Sequence, residues 1–131
     1  MPDKRVLIVA HRTAATPLLL ERVRERAAEA PCAFTLLVPQ DYWEPDTERT
    51  ASTIELAVPL LEDAAGAPVE ARIGDSDPFV AVRDTLAGGQ YDEVIVSTLP
   101  ERVSHWLRRD LPHRVEQLGV PVTVVTAAGR R

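Results

Sequence analysis

Residues able to bind or move charge crowd into one stretch, VSTLPERVSHWLRRDL at 96–111, which holds Ser97, Thr98, His105, Arg108, Arg109 and Asp110. It follows a strongly apolar segment and runs into a helix start. A strand, a turn and a helix N-terminus are where open α/β sheets hold phosphate, because first-turn amides and the helix dipole favour an anion. The Arg108 and Arg109 forks suit phosphate. The stretch has no glycine, so its backbone lacks the close approach that a phosphate cradle uses. Pro112 is tolerated only in a first helical turn, which predicts a short helix over about 102–108 and a new N-cap at Asp110. The Asp110 carboxylate would then accept hydrogen bonds from the amides an anion would otherwise use. Against an anion site stands the plainer reading, an arginine pair on a solvated helix end with Asp110 as an ordinary cap.

The second group is His11, Arg12 and Thr13, just after the first apolar segment. A histidine there could act as a general base, a ligand contact or a metal ligand. No second histidine or cysteine stands at metal spacing, and His105 and His113 flank a proline, so the favoured reading is a polar residue of the crevice. Asp75 and Asp77 could hold Mg²⁺. Asp77 before Pro78 reads more simply as an N-cap, and Asp75 after Gly74 as a turn residue. Trp106 reads as a packing anchor. Serines 52, 76, 97 and 104 lie in no G-x-S-x-G elbow, so nucleophilic hydrolysis has no support.

Composition narrows the classes further. The 131 residues carry a formal net charge of −5, which disfavours a nucleic-acid surface. Fourteen basic residues are arginine and the only lysine is Lys4. A Walker-type loop or a Schiff-base enzyme needs a lysine in its site, and Lys4 is poorly placed for either. No apolar run reaches the length of a membrane span, and MPDKRVLIVA suits a first strand better than a signal peptide. The single cysteine, Cys32, rules out an internal disulfide, fits a reducing cytoplasm and reads as a small buried thiol.

The elements that must position these residues follow from periodicity. KRVLIVA at 4–10 is a doubly buried strand. Thr16-Pro17 opens a helix whose inward stripe is Leu19, Val23, Ala27 and Ala30, stopped by Pro31. AFTLLVP at 33–39 is the second strand. A helix over about 50–65 carries Ile54, Ala57, Leu61 and Ala64 inward, with a kink or break expected at Pro59. VEARI at 69–73 alternates, as a half-exposed edge strand does. Asp77-Pro78 opens a third helix with Phe79, Val82 and Leu86 on one face. EVIVS at 93–97, a last helix with Leu111, Val115 and Leu118 inward and ending at Gly119, and PVTVV at 121–125 complete the chain. Five alternations predict one α/β domain over 1–131, an open parallel sheet with helices on both faces. The ligand crevice of such a sheet lies beyond the carboxyl ends of strands one and four.

The order of elements and three segments, VLIVAHRTAAT, RIGDSDPFVAVRD and EVIVST running to GVPVTVV, resemble the universal stress protein family across nearly the whole chain. The resemblance implies an adenine nucleotide alpha hydrolase-like fold with strand order 3-2-1-4-5, and a homodimer through the last strand, Pro121 to Val125. A nucleotide or anion site in altered form would be lined by His11, Arg12, Thr13, Val38, Ser97, Thr98, Arg108, Arg109 and Asp110. Where nucleotide-binding members carry a spaced set of glycines and a Gly-Ser or Gly-Thr pair, this chain has Ser97, Pro100 and Arg109-Asp110. Pro100 removes an amide donor, and Asp110 sets negative charge at a helix N-terminus, worth about 0.3–1 kcal/mol against an added anion. The expectation is a cytoplasmic, non-enzymatic, homodimeric stress-response or regulatory domain with weak or no ATP binding and no cofactor. The alternative is an ATP, AMP or other small-anion binder using an altered crevice, and a third reading is a nucleotide hydrolase working through His11.

Overall fold

Five parallel strands carry the fold, and the computed structural model describes residues 4–11, 13–40, 47–98, 106 and 110–126. In chain order the elements are β1 (Lys4–Val9), α1 (Pro17–Glu29), β2 (Cys32–Pro39), α2 (Thr47–Ala65), β3 (Val69–Gly74), α3 (Pro78–Ala87), β4 (Glu93–Thr98), α4 (Leu111–Glu116) and β5 (Val122–Thr126). The sheet order is β3-β2-β1-β4-β5, and every neighbouring pair is parallel. β1 is central, which is why its apolar run does not alternate: Val6, Leu7, Ile8 and Val9 are all fully buried.

Strand alternation splits the core in two. Val6, Ile8, Phe34, Leu36, Val38 and Ile95 face α1 and α2, where they meet Leu19, Val23, Ala57 and Leu61. Leu7, Val9, Leu37, Val94 and Val96 face α3 and α4, where they meet Ala81, Val82, Leu111 and Val115. Trp106 is half-buried against this second cluster, as a packing anchor should be.

Several local expectations need correction. α2 begins at Thr47 and runs continuously through Pro59, so no break occurs there. Ala30 is the extended C-cap of α1 rather than part of its stripe. The last helix ends at Glu116, not Gly119, and Leu118 is 40% exposed rather than inward. It lies in the turn that closes on Gly119, whose φ is 97°. Asp77 caps α3 as expected: one carboxylate oxygen accepts from the Phe79 and Val80 amides at 3.0 and 3.4 Å. Asp75 accepts from the Asp77 amide at 2.9 Å, the turn role assigned to it.

Gly74 is required by close approach. A Cβ there would sit 2.7 Å from Ala81 Cβ and 2.9 Å from Leu37 Cδ1. Only a glycine lets α3 lie this near the end of β3.

Cys32 is half-buried at the start of β2, and its thiol donates to the carbonyl of Ala30 at 3.3 Å. Burial pushes its pKa up, and the Arg26 guanidinium pulls the other way with smaller effect. A raised thiol pKa favours the neutral form in the fold. Stability linked to this group is therefore complete below the unfolded-state value and declines as pH rises through the folded one. Iodoacetamide should alkylate Cys32 more slowly in the native protein than in urea at pH 8, since only thiolate reacts. Equal rates would show that the thiol is not held neutral.

Candidate functional site

The crevice opens where β1 and β4 part company. Beyond Val9 the chain leans toward β2, with the Ala10 amide donating to Leu37 carbonyl at 3.1 Å. Ser97 and Thr98 instead continue alongside β5, opposite Val125 and Thr126. Neighbouring strands that turn to opposite sides leave a gap at their carboxyl ends, the usual ligand position in such sheets.

The first lip is a tight turn. The Ala14 amide donates to the His11 carbonyl at 3.3 Å, and the Thr16 amide to the Thr13 carbonyl at 3.2 Å. Thr16 stands at the N-cap of α1 but does not cap it. Its hydroxyl donates backward to the Thr13 carbonyl at 2.9 Å, and Pro17 follows in the first turn. His11 is half-buried on this lip.

The two lips are tied together. Thr13 Oγ1 and Ser97 Oγ lie 2.7 Å apart, with Thr13 3% and Ser97 1% exposed. Ser97 Oγ also reaches the Thr13 carbonyl at 3.5 Å. Ser97 shares a strand face with Ile95, so the tie lies on the α1 side. Thr98, 5% exposed, points to the α3 and α4 side. No sequence spacing announces this pair, because its members are 84 positions apart. The available signal was the topology: one small hydroxyl residue just after β1 and another near the carboxyl end of the adjacent β4.

Asp110 does not play the part assigned to it. Its backbone is left-handed, with φ 57° and ψ 39°, and its side chain makes no capping bond. Asparagine and aspartate tolerate this conformation better than most residues, which accounts for the residue type without a cap. The first-turn amides of α4 are therefore not held by that carboxylate. Val38 is fully buried in the core under α1 and α2, so it presents no surface to the crevice. Arg12, Arg108, Arg109 and Pro100 lie outside the described residues, as do His105, Tyr42, Trp43 and, apart from Trp106, the short helix expected over 102–108. Thus the structure brings His11, Thr13, Ser97 and Thr98 to one switch point and sets Val38 behind it.

Among the described residues no three His, Cys, Asp or Glu side chains gather into a metal-binding group. No helix among them is long and apolar enough to cross a membrane.

A second polar contact, unforeseen in the sequence, sits at the opposite end of the same strands. The Arg26 guanidinium on α1 grips Glu93 at the start of β4 through Nε to Oε1 and Nη2 to Oε2, the latter at 3.1 Å. The Glu93 hydrogen bond raises the Arg26 pKa above its already high value, against the opposing effect of burial.

No protein-family model matches the sequence, and no curated protein matches it. Solved structures do. A universal stress protein in complex with cAMP superposes with a TM-score of 0.68 at 14% identity, over 98% of this chain and 100% of the other. A universal stress protein from Archaeoglobus fulgidus gives 0.68 at 12% identity, over 93% of each chain. A universal stress protein family protein from Arabidopsis thaliana, with AMP bound, gives 0.59 at 13% identity, over 96% of this chain and 93% of the other. The likeness is one of fold, and it covers the whole domain.

Proposed function

We propose that the chain is a member of the universal stress protein family acting as a non-enzymatic regulatory domain in the cytoplasm, a homodimer that binds ATP weakly or not at all. The observation that carries this reading is the Thr13–Ser97 tie. The hydroxyls at the floor of the crevice are buried and spent on each other at 2.7 Å. A ligand would have to replace that bond with equally good ones. The residues at 97, 100 and 109–110 add to it, since serine, proline and Arg-Asp stand where a phosphate cradle uses glycine. The dimer is supported by β5, an edge strand without a charged residue whose Val124 is 40% exposed. Such an edge invites a partner strand.

A second reading, a nucleotide binder with an altered crevice, is favoured by two of the fold's neighbours, which carry cAMP and AMP. Arg12, Arg108 and Arg109 would supply the charge that glycine amides supply elsewhere. A hydrolase working through His11 is the third, and requires a nucleophile or an activated water within hydrogen-bond reach of that ring.

Calorimetry with ATP, AMP and a cyclic nucleotide separates these readings, alongside light scattering for mass. The expected result is no binding tighter than about 100 μM, roughly 5.5 kcal/mol, for any of the three. A tighter constant that is lost in Arg109→Ala establishes the second reading. Release of inorganic phosphate from ATP establishes the third. A monomer at micromolar concentration ends the dimer.

A further inference from the structure

The sheet has two edges, and the one opposite β5 has the more specific pattern. β3 pairs only with β2 among the described residues. Its exposed positions are Glu70, Ala71, Arg72 and Ile73, the last 38% exposed. In a strand, the N–H and C=O of one residue point to the same side, and successive residues alternate. The Gly74 carbonyl accepts from Gln40 of the β2 side at 3.3 Å, so Gly74, Arg72 and Glu70 bond inward. Val69, Ala71 and Ile73 therefore turn their backbone groups outward. The Val69 amide confirms this direction: it leaves the sheet and donates to Glu62 Oε2 at 3.0 Å. Ala71 and Ile73 keep outward donors and acceptors along the edge.

We propose that the β3 edge is an interaction surface for a second copy of this chain, joined antiparallel about a two-fold axis through Ala71. That register sets Ala71 opposite Ala71, as a doubly hydrogen-bonded pair. It sets Val69 opposite Ile73 on one face, where the Val69 amide exchanges Glu62 for the Ile73 carbonyl of the second copy, and Glu70 opposite Arg72 on the other, each occurring twice. A two-fold interface needs a self-complementary patch, and VEARI is one: apolar meets apolar and each charge meets its opposite. Charges on an edge ordinarily deter pairing. Two of opposite sign, placed symmetrically about one residue, deter foreign strands and wrong registers while favouring this one. An unrelated extended peptide would satisfy the backbone but not both charges. The surface is separate from β5 and does not depend on the function proposed above. If both edges are used, the sheets join into an assembly larger than a dimer.

The test is a charge swap read by light scattering at high micromolar concentration. Glu70→Arg and Arg72→Glu should each cut the mass by half or more, because two attractions become two repulsions and association weakens roughly tenfold or more. The double variant Glu70→Arg with Arg72→Glu should restore it. These side chains are exposed, and thermal melts at concentrations too low for association should be unchanged. A second measurement reads this edge alone: Ala71→Cys in a Cys32→Ser background should form a dimer under mild oxidant that dithiothreitol reverses, since opposed Cα atoms about 5.5 Å apart suit a disulfide. Mass unaffected by the single swaps, a double variant no better than either, or an Ala71→Cys protein that stays uncrosslinked would each overturn the proposal. Loss of the β5 dimer would leave the crosslink intact, so the two interfaces fail separately.

Discussion

Replacing Glu93 with leucine is expected to destabilise the fold by about 2–4 kcal/mol, measured as a lower urea midpoint with an unchanged slope. The side chains of Arg26 and Glu93 are only 12% and 21% exposed. Two parallel N–H···O bonds hold them in the fork geometry that makes such pairs strong. Without Glu93, the guanidinium keeps one described partner, Glu29 at 3.0 Å, whose side chain is 58% exposed and gives little in return. Arg26 cannot escape by losing its proton, since its pKa is already raised. It must swing out to water and leave a gap beside Cys32. The double variant Arg26→Met with Glu93→Leu should recover much of the loss, because an apolar pair of similar volume often replaces a buried ion pair at small cost. A Glu93→Leu effect under about 0.5 kcal/mol would show that the pair is no more than a surface contact.

The position of this pair bears on the crevice. Arg26 and Glu93 fasten the C-terminal end of α1 to the start of β4. Thr13 and Ser97 fasten the turn before α1 to the end of the same strand. α1 is thus held to β4 at both ends, although it follows β1 in the chain. The two halves of the sheet meet at β1 and β4, so both ties span that seam, one at each end.

The fold was legible because its signals are local or periodic. The continuous apolar run of β1 required burial on both faces, and the alternation in VEARI required an edge; both positions are as the pattern demands. Asp77-Pro78 named a helix start correctly because a cap bond spans only two or three residues. Asp110 looked the same in the sequence and behaved differently. The left-handed turn it occupies depends on how the preceding chain arrives, which a four-residue window cannot encode. Leu118 fell outside its stripe for a related reason: Gly119 ends the helix earlier than the periodicity suggests. The site was legible in place but not in wiring. His11, Thr13 and Ser97 could be assigned to strand ends from order alone. That Thr13 would spend its hydroxyl on Ser97, and Thr16 its own on Thr13, depends on sub-ångström placement of two lips that are distant in sequence.

That wiring predicts the second large effect. Ser97→Ala should cost about 1–3 kcal/mol, because it strands a hydroxyl that is 3% exposed. Thr13→Val keeps the shape of the side chain and leaves the Ser97 hydroxyl only the longer bond to the carbonyl of residue 13, at 3.5 Å, so it should cost less than Ser97→Ala. The two changes together should cost clearly less than their sum, since removing both partners leaves nothing unsatisfied. A cycle that closes within about 0.3–0.5 kcal/mol would mean the hydroxyls do not depend on each other. Global stability alone would not separate a lip tie from an ordinary core bond. Amide exchange does: Ala14 and Thr16 donate within the 11–16 turn, and their protection should fall in either single variant more than that of Val94 in the central sheet. Loss confined to the turn would mean that Ser97 holds the first lip in place from across the crevice. Any ligand taken there would then have to compete with the protein's own hydroxyls before it gained a contact of its own.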